Sequence, residues 1–139
     1  MKHINRLVII ILVFAGSLLS ACGGQIPVTG EKIAPSKLEP IEGTDLSRVI
    51  LTEKAVERLG IETVSASGNE VPYAAVIYDI EGNTWIYTNP APLTFVRESI
   101  VIDYIEGDMA VLATSLASEM KVVTVGVSEL YGTETGVSK

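Results

Sequence analysis

Hydrophobic positions fall into three regimes along the chain. Residues 7–19 are almost continuously apolar, interrupted by Gly16 and Ser17. Residues 23–45 show no apolar period and mix Gly23, Gly24, Gly30 and Gly43 with Pro27, Pro35 and Pro40. From residue 46 on, short β-branched and aromatic runs alternate with breaks of Gly, Pro, Asn and Asp. Such runs fit strands on a half-buried pleated surface. The densest pair is Val76-Ile77-Tyr78 and Trp85-Ile86-Tyr87, on either side of Asp79-Ile80-Glu81-Gly82-Asn83. The pattern predicts a hairpin there with a longer loop. Strand alternation puts Trp85 and Tyr87 on one face and Thr84, Ile86 and Thr88 on the other. The chain's single Trp lies in this pair, so the core is expected to nucleate here, with Trp85, Tyr87 and Tyr78 as core or contact candidates.

The flanking elements are shorter. Val49, Ile50 and Leu51 predict a strand. Thr52 is placed to cap a helix over residues 53–59, with Glu53 in its positive first turn. Ala55, Val56 and Leu59 make the apolar stripe, and Gly60 suits the left-handed residue after the last turn, with Ile61 folding back on Val56. Residues 61–64 resume as a strand. Gly68-Asn69 is a two-residue hairpin signal leading into Val71, and Pro72 keeps the returning strand at an edge or bulge. After a stiff connector over residues 89–92, strands are predicted at 94–96, 99–105, 109–113 and 121–127. Residues 114–120 read as a small polar connector around Leu116. The sum is a mainly β domain over residues 46–132, with about seven short strands and one short helix, and a polar tail over 133–139. It fits a small antiparallel β-barrel or rolled sheet around one modest core.

The first residues are an address. Lys2 and Arg6 precede the apolar run, and Leu19-Ser20-Ala21-Cys22 follow it. The run falls short of the roughly 20 residues that cross a bilayer. A basic start, a short apolar run and small residues before a cut describe a secretory signal. An aliphatic residue, two small residues and a Cys resemble the lipobox of bacterial lipoproteins. That resemblance implies cleavage before Cys22 and acylation of its thiol. Residues 1–21 are thus expected to be a signal peptide and residues 22–45 a lipidated Cys with a flexible tether, about 25 Å long as a coil. The expected location is the extracytoplasmic face of a bacterial membrane, in the periplasm or at the cell surface.

Charge narrows the partners. Residues 1–21 hold two of the ten Lys and Arg and none of the seventeen Asp and Glu, so the remainder carries a formal charge of −9. Such a domain repels phosphate backbones, which disfavours nucleic acid, and offers anionic lipids no basic patch. Membrane attachment is therefore assigned to the N-terminal lipid. The only His, His3, lies in the signal, and the only Cys is Cys22. Nucleophilic sites that need an imidazole base have none to use in the domain. Zinc and copper sites lean on His and Cys, so no cofactor or metal is expected. The acidic turns at 79–83 and 103–108 read as solvated loops, since neither has the spacing of a calcium loop.

Three stretches carry a further resemblance. They are SRVILTEKAVERLGIETV (residues 47–64), VPYAAVIYDIEGNTWIY (71–87) and VVTVGVSELYG (122–132). Together they resemble the periplasmic adaptor proteins, or membrane fusion proteins, of resistance-nodulation-division efflux pumps, and among them the heavy-metal-exporter branch. The first looks like an opening segment of such adaptors, and the other two look like their C-terminal membrane-proximal part. The resemblance implies a membrane-proximal β domain in contact with an efflux transporter or a full-length adaptor. Adaptors of this kind place a lipoyl-like domain, and usually a long helical hairpin, between these stretches; here residues 65–70 alone separate them. The resemblance thus implies a domain whose arms are cut out and whose stumps are joined at Gly68-Asn69. The family's Gly-Leu…Pro-Gly-Glu turn stands here as TSLASEMKVV (114–123), with Ser115 in a Gly position and Ser118 in that of the turn Gly. The branch's Met and His metal sites have no counterpart, so metal handling is not implied.

The expected function is that of a non-catalytic, lipid-anchored extracytoplasmic protein associated with an exporter. The alternative is a lipid-anchored binding protein for a small extracellular ligand, unrelated to efflux. An apolar pocket around Trp85 and Tyr87 favours that alternative, and a filled core there disfavours it. A carboxylate enzyme would need two acids converging in a cleft, one with a raised pKa.

Overall fold

The computed structural model describes residues 34–136. The expected signal peptide, Cys22 and the first part of the tether lie outside the described residues. Eight strands form one antiparallel sheet: β1 (Ser36–Pro40), β2 (Ser47–Leu51), β3 (Glu62–Pro72), β4 (Ile77–Tyr78), β5 (Thr84–Ala91), β6 (Thr94–Ile100), β7 (Ile102–Glu106) and β8 (Met109–Val125). The order is β1-β2-β6-β5-β8-β3, with β4 added beside β5 and β7 beside β8. Every pairing is antiparallel. Among the described residues β1 and β3 do not pair with each other, so the sheet rolls without closing into a barrel.

Helix α1 (Glu53–Leu59) forms where the sequence places it. Thr52 is extended, and its Oγ1 accepts from Ala55 N at 3.2 Å. Gly60 takes the left-handed conformation at φ 62°, and Ile61 N donates to Val56 O at 3.1 Å. Both ends of a two-turn helix are thereby satisfied. Its buried Ala55 and half-buried Val56 and Leu59 lie against the sheet.

The two faces of the sheet bury separate clusters, as the period of two dictates. On one face Val49, Leu51, Tyr87, Phe95 and Val123 meet Ala55 of α1 and Val127 and Leu130 of helix α2 (Val127–Thr135). On the other, Ile86, Ile100 and Val122 meet Ala66, Val71, Ala110 and Leu112, together with Ala75 in a single 3₁₀ turn, Tyr73–Ala75. Ala110 and Val122 both belong to β8, yet share this second cluster. On a straight strand they would stand roughly 40 Å apart, but their partners on β3, Val71 and Val64, are only seven residues apart, so β8 is bent along its length. The register shows where. Ala66 faces Met120 and Glu70 faces Val111, so four steps along β3 oppose nine along β8. The surplus leaves the ladder as bulges, which bend a strand and increase its twist.

Four sequence expectations are corrected. The tether does not run to residue 45, because Ser36–Pro40 pair with β2 from Ser36↔Leu51 to Pro40↔Ser47. No turn forms at Gly68-Asn69: β3 runs from Glu62 to Pro72 as one strand, and Gly68, at φ 75°, absorbs a bulge. The excised-arm joint read there is therefore not a hairpin. The polar connector over 114–120 lies within β8, and the left-handed residue is Glu119 (φ 61°), one position after Ser118. The polar tail does not begin at residue 133, since α2 continues to Thr135.

Candidate functional site

The turn between β4 and β5 is built on one carboxylate. Asp79 Oδ1 accepts from Glu81 N and Asn83 N, each at 2.9 Å. Oδ2 accepts from Asn83 Nδ2 at 2.9 Å and from Trp85 Nε1 at 3.0 Å. Asp and Asn favour such turns because their short side chains bond nearby backbone groups. The Asn83 side-chain amide, then the Trp85 indole and the two backbone N–H groups, hold the Asp79 carboxyl down to about 2. It stays charged near neutrality, which suits a fixed negative wall and not a proton donor. Within this rigid turn Ile80 projects outward, 98% exposed.

The indole of Trp85 is also held by Arg97 on the neighbouring strand, whose guanidinium carbon lies 4.4 Å from the ring centroid. The same guanidinium lies 5.3 Å from the ring centroid of Tyr131 on α2. Arg97 Nε is 3.2 Å from Glu134 Oε2, with the two side chains only 11% and 4% exposed. It is not aligned on that oxygen as a hydrogen-bond donor; the contact is an ion pair, and Tyr87 Oη donates to the same oxygen. Glu134 Oε1 accepts from Ser47 N at 3.2 Å. Burial, and then the Glu134 carboxylate, push the Tyr87 phenol well above its ordinary value.

Beside this network lies an open cleft of about 820 Å³. Half-buried Trp85, Arg97 and Tyr131 line its inner part, and exposed Asp45, Ile80 and Glu81 line its rim together with Asp79 and Glu98. Smaller clefts of about 500 and 460 Å³ lie along the other side of Glu98, against Met120. Among the described residues no three His, Cys, Asp or Glu side chains converge as a metal site. Among them, too, no helix is long and apolar enough to cross a membrane.

The sequence candidates part company here. Tyr87 is fully buried core, Trp85 is a half-buried wall of the cleft, and Tyr78 is an exposed surface residue whose hydroxyl lies 3.4 Å from that of Tyr73. Of the core and contact roles open to Trp85, its half burial, its indole N–H bond to Asp79 and its Arg97 contact tie it to the surface turn, while the core at this stretch is supplied by Ile86 and Tyr87. Arg97, Tyr131 and Glu134 escape a sequence reading because they meet only through the fold. Asp79 carries a readable signal, an Asp four residues before an Asn in a Gly-containing turn. Cys22 lies outside the described residues.

No family model, no curated protein and no solved structure matches the chain.

Proposed function

We propose that the chain is a non-catalytic, lipid-anchored extracytoplasmic protein whose domain acts as an adaptor-like contact module for an efflux transporter or a full-length adaptor. The observation that carries this reading is the convergence of the three stretches on which the adaptor resemblance rests. Residues 47–64 contribute Val49, Leu51 and Ala55 to the helix-covered core, residues 71–87 contribute Tyr87, and residues 122–132 contribute Val123, Val127 and Leu130. Phe95 alone in that cluster comes from elsewhere. Segments far apart in the chain thus supply one core, which supports reading them as one domain. The shortened stretch between them stays within β3, so the module needs no arm to complete its sheet.

Two measurements test the reading. Cys22→Ser is expected to abolish labelled-palmitate incorporation and to release the chain from the membrane fraction. Gentle cross-linking with an export permease co-expressed is expected to recover the two together. Equal palmitate labelling of wild type and variant, or repeated recovery of the chain alone, overturns the corresponding half.

The second reading, a small-ligand-binding lipoprotein, draws on the cleft beside Trp85. A filled core around Tyr87 counts against it, and the cleft's rim is polar, whereas ligand pockets are mostly apolar and enclosing.

A further inference from the structure

We infer that the cleft beside Trp85 is a docking surface for a basic segment of a partner protein, one with an apolar side chain between cationic ones. This deepens the proposed function and rests on the chain being an interaction module. Three features select the occupant.

The first is Ile80. Its side chain is 98% exposed at the tip of a turn whose carboxylate accepts four hydrogen bonds. A single exposed aliphatic residue is ordinary on a mobile loop. Here the loop is already ordered, so covering Ile80 costs little further conformational entropy. Ile80 projects from the rim, where a small molecule seated inside the cleft would leave it uncovered, and a macromolecular segment would not.

The second is the aromatic wall. Trp85 is fixed at its nitrogen by Asp79 and on its face by Arg97, whose guanidinium also lies 5.3 Å from the Tyr131 ring centroid. Preorganised aromatic side chains with adjoining pockets are the usual anchors of protein interfaces.

The third is charge. Asp45, Asp79, Glu81 and Glu98 border the cleft, and among the described residues no Lys or Arg forms an ion pair with any of them. Arg97 is the one cation lining it, and its charge faces Glu134. The uncompensated field is negative, so it attracts a basic segment and repels anionic lipid headgroups and phosphodiesters.

The chain's single Trp makes the cleft observable. The full chain, in a neutral detergent, is titrated with the pentapeptide Lys-Leu-Lys-Leu-Lys while Trp85 emission is followed. A saturable change is expected, absent with Glu-Leu-Glu-Leu-Glu, and weakened about tenfold between about 50 and about 500 mM salt. Ile80→Ser and Glu81→Gln, both at exposed positions, are each expected to raise the apparent Kd about threefold or more while leaving the emission of the free protein unchanged. No saturable change, an equal response to both peptides, an unaltered Kd in Ile80→Ser, or saturation by tetraphenylphosphonium but not by peptide overturns the proposal. Cross-linking to the co-expressed permease separates the two levels. If the doubly substituted chain is still recovered with the permease, the cleft is not the contact, though the adaptor-like reading holds; if wild type is not recovered, that reading itself fails.

Discussion

Tyr87, in the middle of β5, donates its phenolic hydrogen bond to Glu134, in the last turn of α2. The same carboxylate receives the Ser47 amide and faces Arg97. One side chain near the end of the chain thus ties together β2, β5, β6 and α2. Removing it strands a buried guanidinium and a buried hydroxyl. Glu134→Ala is expected to cost about 3–5 kcal/mol, the range for breaking one side of a buried pair. Glu134→Gln, which keeps an acceptor for Tyr87 and loses the charge facing Arg97, is expected to cost less. Urea melts of the two variants check this, and a loss below about 1 kcal/mol for Glu134→Ala would place the carboxylate in solvent.

Alkaline stability follows from the same contact. The folded state raises the Tyr87 pKa above its ordinary value of 10.0. Folding therefore favours the neutral phenol. That contribution is complete below about pH 10 and drains away as pH rises further, because the unfolded chain releases the proton and the folded one does not. Tyr87→Phe is expected to melt with a shallower fall above pH 10 than wild type. Parallel slopes in the two proteins would rule the linkage out.

Two glycines with left-handed backbones separate strain from crowding. Gly68 (φ 75°) has open space where a Cβ would stand, whereas a Cβ on Gly126 (φ 85°) would lie 2.1 Å from Ile61 Cδ1. Gly68→Ala is expected to cost only the conformational penalty, about 1–2 kcal/mol. Gly126→Ala pays that and must also turn the end of the Ile61 side chain aside, at about 0.5–1.5 kcal/mol more. Thermal melts that rank the two equally would mean that Ile61 yields freely.

Acid acts on the β4–β5 turn late. Its hydrogen bonds hold the Asp79 carboxyl at about 2, against an ordinary value of 3.8. A depressed folded value gives stability that is present above the unfolded pKa and lost as pH falls through the folded one. Trp85 emission is expected to hold steady down to about pH 3 and to change only nearer 2. In Asp79→Asn the emission at neutral pH is already that of a loosened indole. A wild-type transition centred near pH 4 would contradict the bonded geometry.

What the sequence revealed and what it concealed divide by range. Thr52, Gly60 and Ile61 act within one or two turns of α1, and the helix stands where their spacing puts it. Alternation through Trp85, Ile86 and Tyr87 correctly separates the two faces, since Ile86 and Tyr87 enter different clusters. The same pattern cannot rank burial on one face, because Trp85 and Tyr87 share a parity while their distances from the helices differ. Gly68-Asn69 misleads for a local reason. A left-handed Gly serves a bulge as well as a turn, and only the long partner strand β8 decides between them. Glu134 was invisible because nothing near it marks a buried carboxylate; its partners lie 47 and 87 residues back.

Those separations also set an order of assembly. A chain made from its N-terminus presents Ser47 and Tyr87 long before Glu134, and α2 is the last of the described elements to appear. Until then that face is covered by α1 alone and lacks the carboxylate that faces Arg97. The helix-covered face is therefore completed only after every strand that it ties together has been made.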